Sequence, residues 1–140
     1  MTGMILAIRV AGGIHLAIIA ANVPLPGKLK VRQHLAEVPN FIRQIFFVHW
    51  LYIVLVLVLF SALCLFFPAE LAGGSLLGRF LSGYMAVFWL VRIVLQVTYY
   101  DRGVRRENRW LDGMYLAALI VLSIIFSLAA LGGGSYVFGR

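Results

Sequence analysis

Carboxylates are scarce in this sequence, and its long apolar runs contain none in their interiors. Only five residues are Asp or Glu, and charged residues make up 12% of the chain, against about 25% in soluble domains. All five acids lie between the apolar runs or at their ends: Glu37, Glu70, Asp101, Glu107 and Asp112. Catalysis by buried carboxylates, or by a nucleophile paired with a base, therefore has no visible candidates.

Cysteine is almost absent as well. The single one, Cys64, stands in the middle of an apolar run, where a lone thiol behaves as a small hydrophobic side chain. An intrachain disulfide is therefore excluded. The sequence also has no zinc-type spacing of His and Cys and no nucleotide-binding glycine loop, so it predicts no metal site.

What the sequence has in abundance is apolar length. Hydrophobic residues make up 63% of the chain and the mean hydropathy is +0.99, more than a soluble domain of 140 residues can bury. The runs are continuous and about twenty residues long, as spanning helices require, and lack the alternation of barrel strands. We therefore predict an all-α membrane protein, residues 1–140 forming one transmembrane domain of four helices, at about 4–23, 41–67, 76–100 and 111–131.

The segments between these runs complete the outline. The first run lacks a clean cleavage site, so we expect a first transmembrane helix rather than a signal peptide. Basic loops are expected at 24–40 and 101–110, with Asn40 as the N-cap of the second helix. Residues Glu70 to Ser75 are expected to form a short turn, and the C-terminal tail is expected to lie in the membrane interface.

The distribution of Lys and Arg predicts orientation. Eight cations lie in or beside the first and third loops, whereas Arg79 and Arg140 alone lie on the other side. The prediction is an up-down bundle with N and C termini outside, in a cell membrane, most simply a bacterial inner membrane. The net charge of +7 then indicates anionic lipid as a partner, with no nucleic acid. The expected headgroup contacts are Lys28, Lys30, Arg32, Arg102, Arg105 and Arg106.

Arg92 is the residue most out of place, because it lies inside the third apolar run with no acid at its depth. Helical side chains lean toward the N-terminus, so Arg92 is expected to lean toward the membrane centre, where an arginine costs from ~3 to more than 10 kcal/mol. Two readings stay open: a structural arginine bonded to carbonyls and Gln96, or a site for an anion, cofactor or partner carboxylate. The candidate site is Arg92, Gln96, His49 and Tyr99.

Two histidines lie inside predicted helices. His15 falls near the middle of the first helix, and His49 is placed about as deep as Arg92 in the second. Antiparallel helices would bring them to similar depths, where two imidazoles can ligate a b-type haem. Packed, hydrogen-bonded histidines are the alternative, and beyond a b-type haem the sequence leaves the cofactor unknown.

Small residues repeat every four positions on two helices. Gly13, Ala17 and Ala21 form one such row, and Gly78, Ser82 and Ala86 form the other. Rows of this kind let helices approach closely in lipid. The sequence leaves open whether they pack within this bundle or against another chain.

The beginning of the chain carries an arginine, two glycines and then a lysine after the first helix: Arg9, Gly12, Gly13 and Lys28. In this it resembles the DoxX-like four-helix membrane proteins. The resemblance covers these four positions only and implies no activity for this chain.

For function we expect a non-catalytic accessory or scaffold subunit of a larger membrane complex, associated with other membrane chains or with itself. One alternative is a carrier or binding protein for an anionic or amphiphilic ligand at Arg92, His49 and Gln96. The other is a subunit for electron transfer linked to b-haem or quinone.

Overall fold

A computed structural model of the chain describes residues 2–100, 102–107 and 109–132, the side chains of Leu25 and Val104 excepted. The predicted C-terminal tail and Arg140 lie outside these residues. The helices, in chain order, are α1 (Thr2–Asn22), α2 (Leu25–Lys28), α3 (Val31–His34), α4 (Asn40–Phe66), α5 (Pro68–Ala72), α6 (Leu76–Thr98), α7 (Arg102–Glu107) and α8 (Arg109–Ala130).

Four helical stretches are long and apolar enough to cross a membrane: α1 together with α2, then α4, α6 and α8. The part of the chain that the structure describes is otherwise helical or turn, with no strand. The protein is thus an all-helical, multi-pass membrane protein by length and composition. The helices form because continuous apolar runs in lipid must satisfy their backbone hydrogen bonds internally.

Side chains define two helix ends. Ser75 caps α6, since its hydroxyl oxygen accepts a hydrogen bond from the backbone N–H of Gly78 at 3.0 Å. Arg79 donates from Nε to the carbonyl oxygen of Ala130 at 2.9 Å, at the C-terminal end of α8. Asn40 does not act as the expected cap: Pro39 occupies the N-cap position of α4, and the Asn40 side chain accepts a hydrogen bond from Arg43 instead.

The long helices approach one another most closely as two pairs, α1 with α4 and α6 with α8. In the first pair, Ser61 of α4 donates to the carbonyl oxygen of Gly12 at 3.2 Å. In the second, Gly83 lies beside Ala130, and Gln96 bonds to Asp112. The two pairs are joined by contact between α1 and α8, and by the ring of Phe60 on α4, which packs on α6.

The segment between α4 and α6 is a short helix rather than the predicted simple turn. Pro68, Leu71 and Ala72 of α5 are buried, and α5 packs against α1, α4, α6 and α8. Proline is well placed at the first position of a helix, where its missing N–H is not needed. One end of the bundle is therefore closed by protein.

Candidate functional site

Arg92 is half-buried and is stabilised by two aromatic rings. Its guanidinium carbon lies 4.9 Å from the ring centroid of Tyr100 and 5.6 Å from that of Tyr115 on α8. Such cation–π contacts contribute from about 0.5 to 2 kcal/mol each. Because Tyr100 lies eight residues, or ~12 Å of helix rise, beyond Arg92, the arginine must extend toward the C-terminal end of α6. This corrects the expected lean toward the membrane centre.

Gln96 hydrogen-bonds to a carboxylate at the start of α8. Its Nε2 donates to Oδ1 of Asp112 at 2.6 Å, and Arg105 of α7 donates to both oxygens of the same carboxylate at 3.1 and 3.0 Å. The Arg105–Asp112 ion pair closes at 2.9 Å, with both side chains largely covered. Hydrogen bonding to Asp112 raises the pKa of Arg105 above its ordinary value. This network ties α6, α7 and α8 together and occupies a cation that was expected to contact lipid headgroups.

The four residues of the predicted ligand site do not converge. His49 is exposed on α4, and its Nδ1 donates to the carbonyl oxygen of Ile45 at 2.8 Å. Tyr99 is 82% exposed and contacts the ring of Tyr100. Tyr115 and Asp112, which contact Arg92 and Gln96, were missed because their roles depend on how α6 pairs with α8. Tyr100, which also contacts Arg92, follows α6 directly. The sequence does carry one signal for the two tyrosines. Tyr100 lies one helical turn after Gln96, and Tyr115 lies one turn after Asp112.

His15 and His49 are not brought together. His15 is fully buried against Phe60, Trp89 and Phe126, with ring centroids 5.8, 5.3 and 5.9 Å away. Phe60 stands eleven residues beyond His49 on α4, which corresponds to ~16 Å of rise. A haem iron needs both imidazoles within a few ångströms, so this arrangement does not form the predicted axial pair.

The two rows of small residues have opposite surroundings. Gly78, Ser82 and Ala86 are buried, and a Cβ on Gly78 would stand 2.1 Å from the carbonyl oxygen of Glu70. Their close neighbour is therefore the α4–α5–α6 connection. The other row is exposed on the outside of α1, and nothing lies within 4 Å of a Cβ built on Gly13. Gly12, beside it, is the glycine that packs on Leu65 and Cys64.

The remaining polar side chains of the core show no activated nucleophile. The hydroxyls of Ser61, Ser82 and Ser123 each donate to a backbone carbonyl oxygen. Cys64 is fully buried. Among the residues that the structure describes, no three His, Cys, Asp or Glu side chains are grouped as metal ligands.

The cations expected at lipid headgroups are otherwise exposed: Lys28, Lys30, Arg32, Arg102 and Arg106. Arg9 is exposed on α1 as well. Comparison of the chain with protein families, characterised proteins and solved structures finds no match, so the resemblance at Arg9, Gly12, Gly13 and Lys28 stays a resemblance of four positions.

Proposed function

We propose that this protein is a non-catalytic subunit of a larger membrane complex, and that it binds its partner through the N-terminal half of α4. The observation that carries the proposal is an uneven burial along one row of α4. Leu57, Phe60 and Cys64 are at most 3% exposed, whereas no residue of α4 before Leu57 is buried.

The row itself continues unbroken into the exposed half. Phe46, Trp50 and Ile53 precede Leu57, Phe60 and Cys64 at the alternating spacings of four and three that keep residues on one helix face. We call these first three residues the open stripe. Phe46 is 43% exposed and Ile53 is 52% exposed. The face that packs the core at one end of α4 is thus only partly covered at the other, where Trp50 is half-buried and Phe46 and Ile53 are exposed.

A helix of another membrane chain is the occupant that this surface favours. Large side chains in an unfilled row are stabilised in lipid by close packing and hydrogen bonds with a neighbouring helix. His49 flanks the open stripe, and a ring with one nitrogen bonded to Ile45 offers its other nitrogen to a partner. The partner helix should therefore carry a hydrogen-bonding side chain at this depth.

A second copy of this chain fits less well. A two-fold axis along the membrane normal keeps equivalent ends on the same side, so it would bring Arg43 and Arg32 of one copy toward those of the other. With a net charge of +7, like cations would meet beside the open stripe. A different chain with carboxylates near its membrane boundary complements this charge.

The orientation we propose is an up-down bundle in a cell membrane of bacterial inner-membrane type, with both termini outside and the two basic loops in the cytoplasm. Support comes from the eight-to-two division of cations. It also comes from the order of contacts, since the start of α6 meets the end of α8 and the end of α6 meets the start of α8.

The proposal is tested by photocrosslinking from single positions of α4 in the native membrane. A crosslinking amino acid at Ile53 should capture a membrane polypeptide other than this chain. Leu51 is the matched control, because it is 50% exposed at nearly the same depth but lies on another side of the helix. It should yield lipid adducts.

Two results would contradict the proposal. If the crosslinker at Ile53 gave lipid adducts alone and mild extraction gave a monomeric particle, the protein would have no partner at the open stripe. An adduct between two copies of this chain would show that the open stripe mediates self-association and does not bind a different protein.

A further inference from the structure

Two adjoining grooves lie where α2 and α3 meet the beginning of α4. One is lined by residues of the first loop together with Phe47, and the second by residues of α4 together with Arg32; both share Arg32 and Phe47. The second encloses about 620 Å³, within the ~300–1,000 Å³ typical of small-molecule sites. Three cations line the pair: Lys30, Arg32 and Arg43.

These three cations have no counter-ion among the residues that the structure describes. None of the described residues lining the two grooves is acidic, and within the described ranges Lys30, Arg32 and Arg43 form no ion pair. Gln33 and Gln44 add amide groups to the lining. The grooves therefore present hydrogen-bond donors and positive charge to whatever occupies them, which selects an anion.

The two arginines are also held in place. Arg32 lies over the ring of Phe47, 6.0 Å from its centroid, and Arg43 donates to the side chain of Asn40. Lys30 links α2 to α3 with φ 49° and ψ 39°, and no other non-glycine residue in the described ranges has a positive φ. The left-handed conformation is unfavourable for a residue with a side chain, so packing of the fold maintains this reversal of the chain.

The groove opens onto an apolar surface. Phe47 and Leu51 follow Arg43 at intervals of four, so one side of α4 changes from cationic to apolar as the helix proceeds. Leu51 is 50% exposed and Leu55, the next in the row, is 53% exposed. A ligand that matches both parts has an anionic head and a hydrocarbon tail.

We propose that this surface is a binding site for one anionic phospholipid, with the phosphate held by Lys30, Arg32 and Arg43 and an acyl chain lying along Leu51 and Leu55. The site is separate from the open stripe, which lies about a third of a turn around α4. It differs from a diffuse attraction to the membrane surface because it uses particular side chains in a groove.

The test compares two double variants that remove the same charge from the purified full chain. Arg32→Gln/Arg43→Gln changes the groove, whereas Arg102→Gln/Arg106→Gln changes exposed cations elsewhere in the basic loops. Native mass spectrometry would count phosphatidylglycerol retained, with zwitterionic phosphatidylcholine as reference. The groove variant should bind phosphatidylglycerol roughly tenfold or more weakly, and the control should retain the affinity of the unmodified chain.

A second variant leaves all charges in place. Phe47→Ala removes the ring beneath Arg32 and should weaken phosphatidylglycerol binding severalfold. Inorganic phosphate, as a separate arm, should fail to displace the lipid at millimolar concentration. Equal losses in both double variants would show a diffuse surface effect, and displacement by phosphate would show a site for a free anion; either result would overturn the proposal.

Discussion

The imidazole of His15 and the indole of Trp89 lie 5.3 Å apart, centroid to centroid, in the middle of the helix bundle, and each has a ring nitrogen that none of the described residues hydrogen-bonds. Nδ1 of His15 contacts the carbonyl oxygen of Ala11 at 2.7 Å and must donate to it. Nε2 is then an acceptor, whereas Nε1 of Trp89 is a donor. A buried polar group left unpaired costs about 1–3 kcal/mol.

From this we expect His15→Leu, which conserves volume and removes the unpaired nitrogen, to change the free energy of unfolding by no more than about 1 kcal/mol. His15→Ala should lower it by about 2–4 kcal/mol, since it opens a cavity beside Phe60, Trp89 and Phe126. Titration with denaturing detergent, followed by tryptophan fluorescence, measures both. Equal losses for the two variants would mean that the imidazole makes an interaction that leucine cannot replace.

Gly78 and Gly83 form a matched pair on α6. An alanine at 78 would place its Cβ 2.1 Å from the backbone oxygen of Glu70, whereas at 83 the nearest atom is 3.8 Å away. Gly78→Ala should destabilise the protein by at least about 2 kcal/mol, because a backbone atom must move. Gly83→Ala should be neutral or stabilising by up to about 1 kcal/mol. The same detergent titration measures the stability of both variants. An unchanged stability of Gly78→Ala would contradict the close approach of α5 to α6.

Arg92 and Tyr115 should show coupling. Tyr115→Ala removes one of the two rings beside the guanidinium and should destabilise the protein by about 1 kcal/mol more than its lost packing alone. In the Arg92→Leu background that extra loss should disappear. A double-mutant cycle measures it directly. Because Arg92 is satisfied within the chain, Arg92→Leu should also leave any assembly intact, and dissociation of the complex would show that Arg92 serves a partner.

Orientation in the membrane is tested with reporters. Fusions placed at Arg106 and after the C-terminus should report opposite compartments, with Arg106 in the cytoplasm, because eight cations lie in or beside the first and third loops and two lie on the other side. A fusion near Lys30 serves as an internal control and should agree with Arg106. Signals from one compartment at Arg106 and the C-terminus would show that the number of crossings is not four.

The four long helices were predictable because each is a single apolar run, and their ends in the structure lie within two residues of the predicted ones. The short helix α5 could not be predicted, because five residues are too few to show a periodic pattern. The partners of Arg92 were missed for a related reason. Tyr115 lies 23 positions away, and the contact exists only after α6 and α8 pair. The packing glycine of α1 is a similar case. The four-residue spacing pointed to the row that contains Gly13, whereas the structure shows that the neighbouring Gly12 packs on Leu65.

The enclosure of His15 also bears on how the chain is made. His15 belongs to α1, which is synthesised before α4 and α6, and Phe126, which covers one side of its ring, belongs to α8, which is synthesised after them. When α1 and α4 alone have been inserted, the imidazole has Phe60 as a neighbour but neither Trp89 nor Phe126. The first of the four long helices therefore stays in lipid with a polar ring partly uncovered, and the core around it closes only after α6 and α8 have followed.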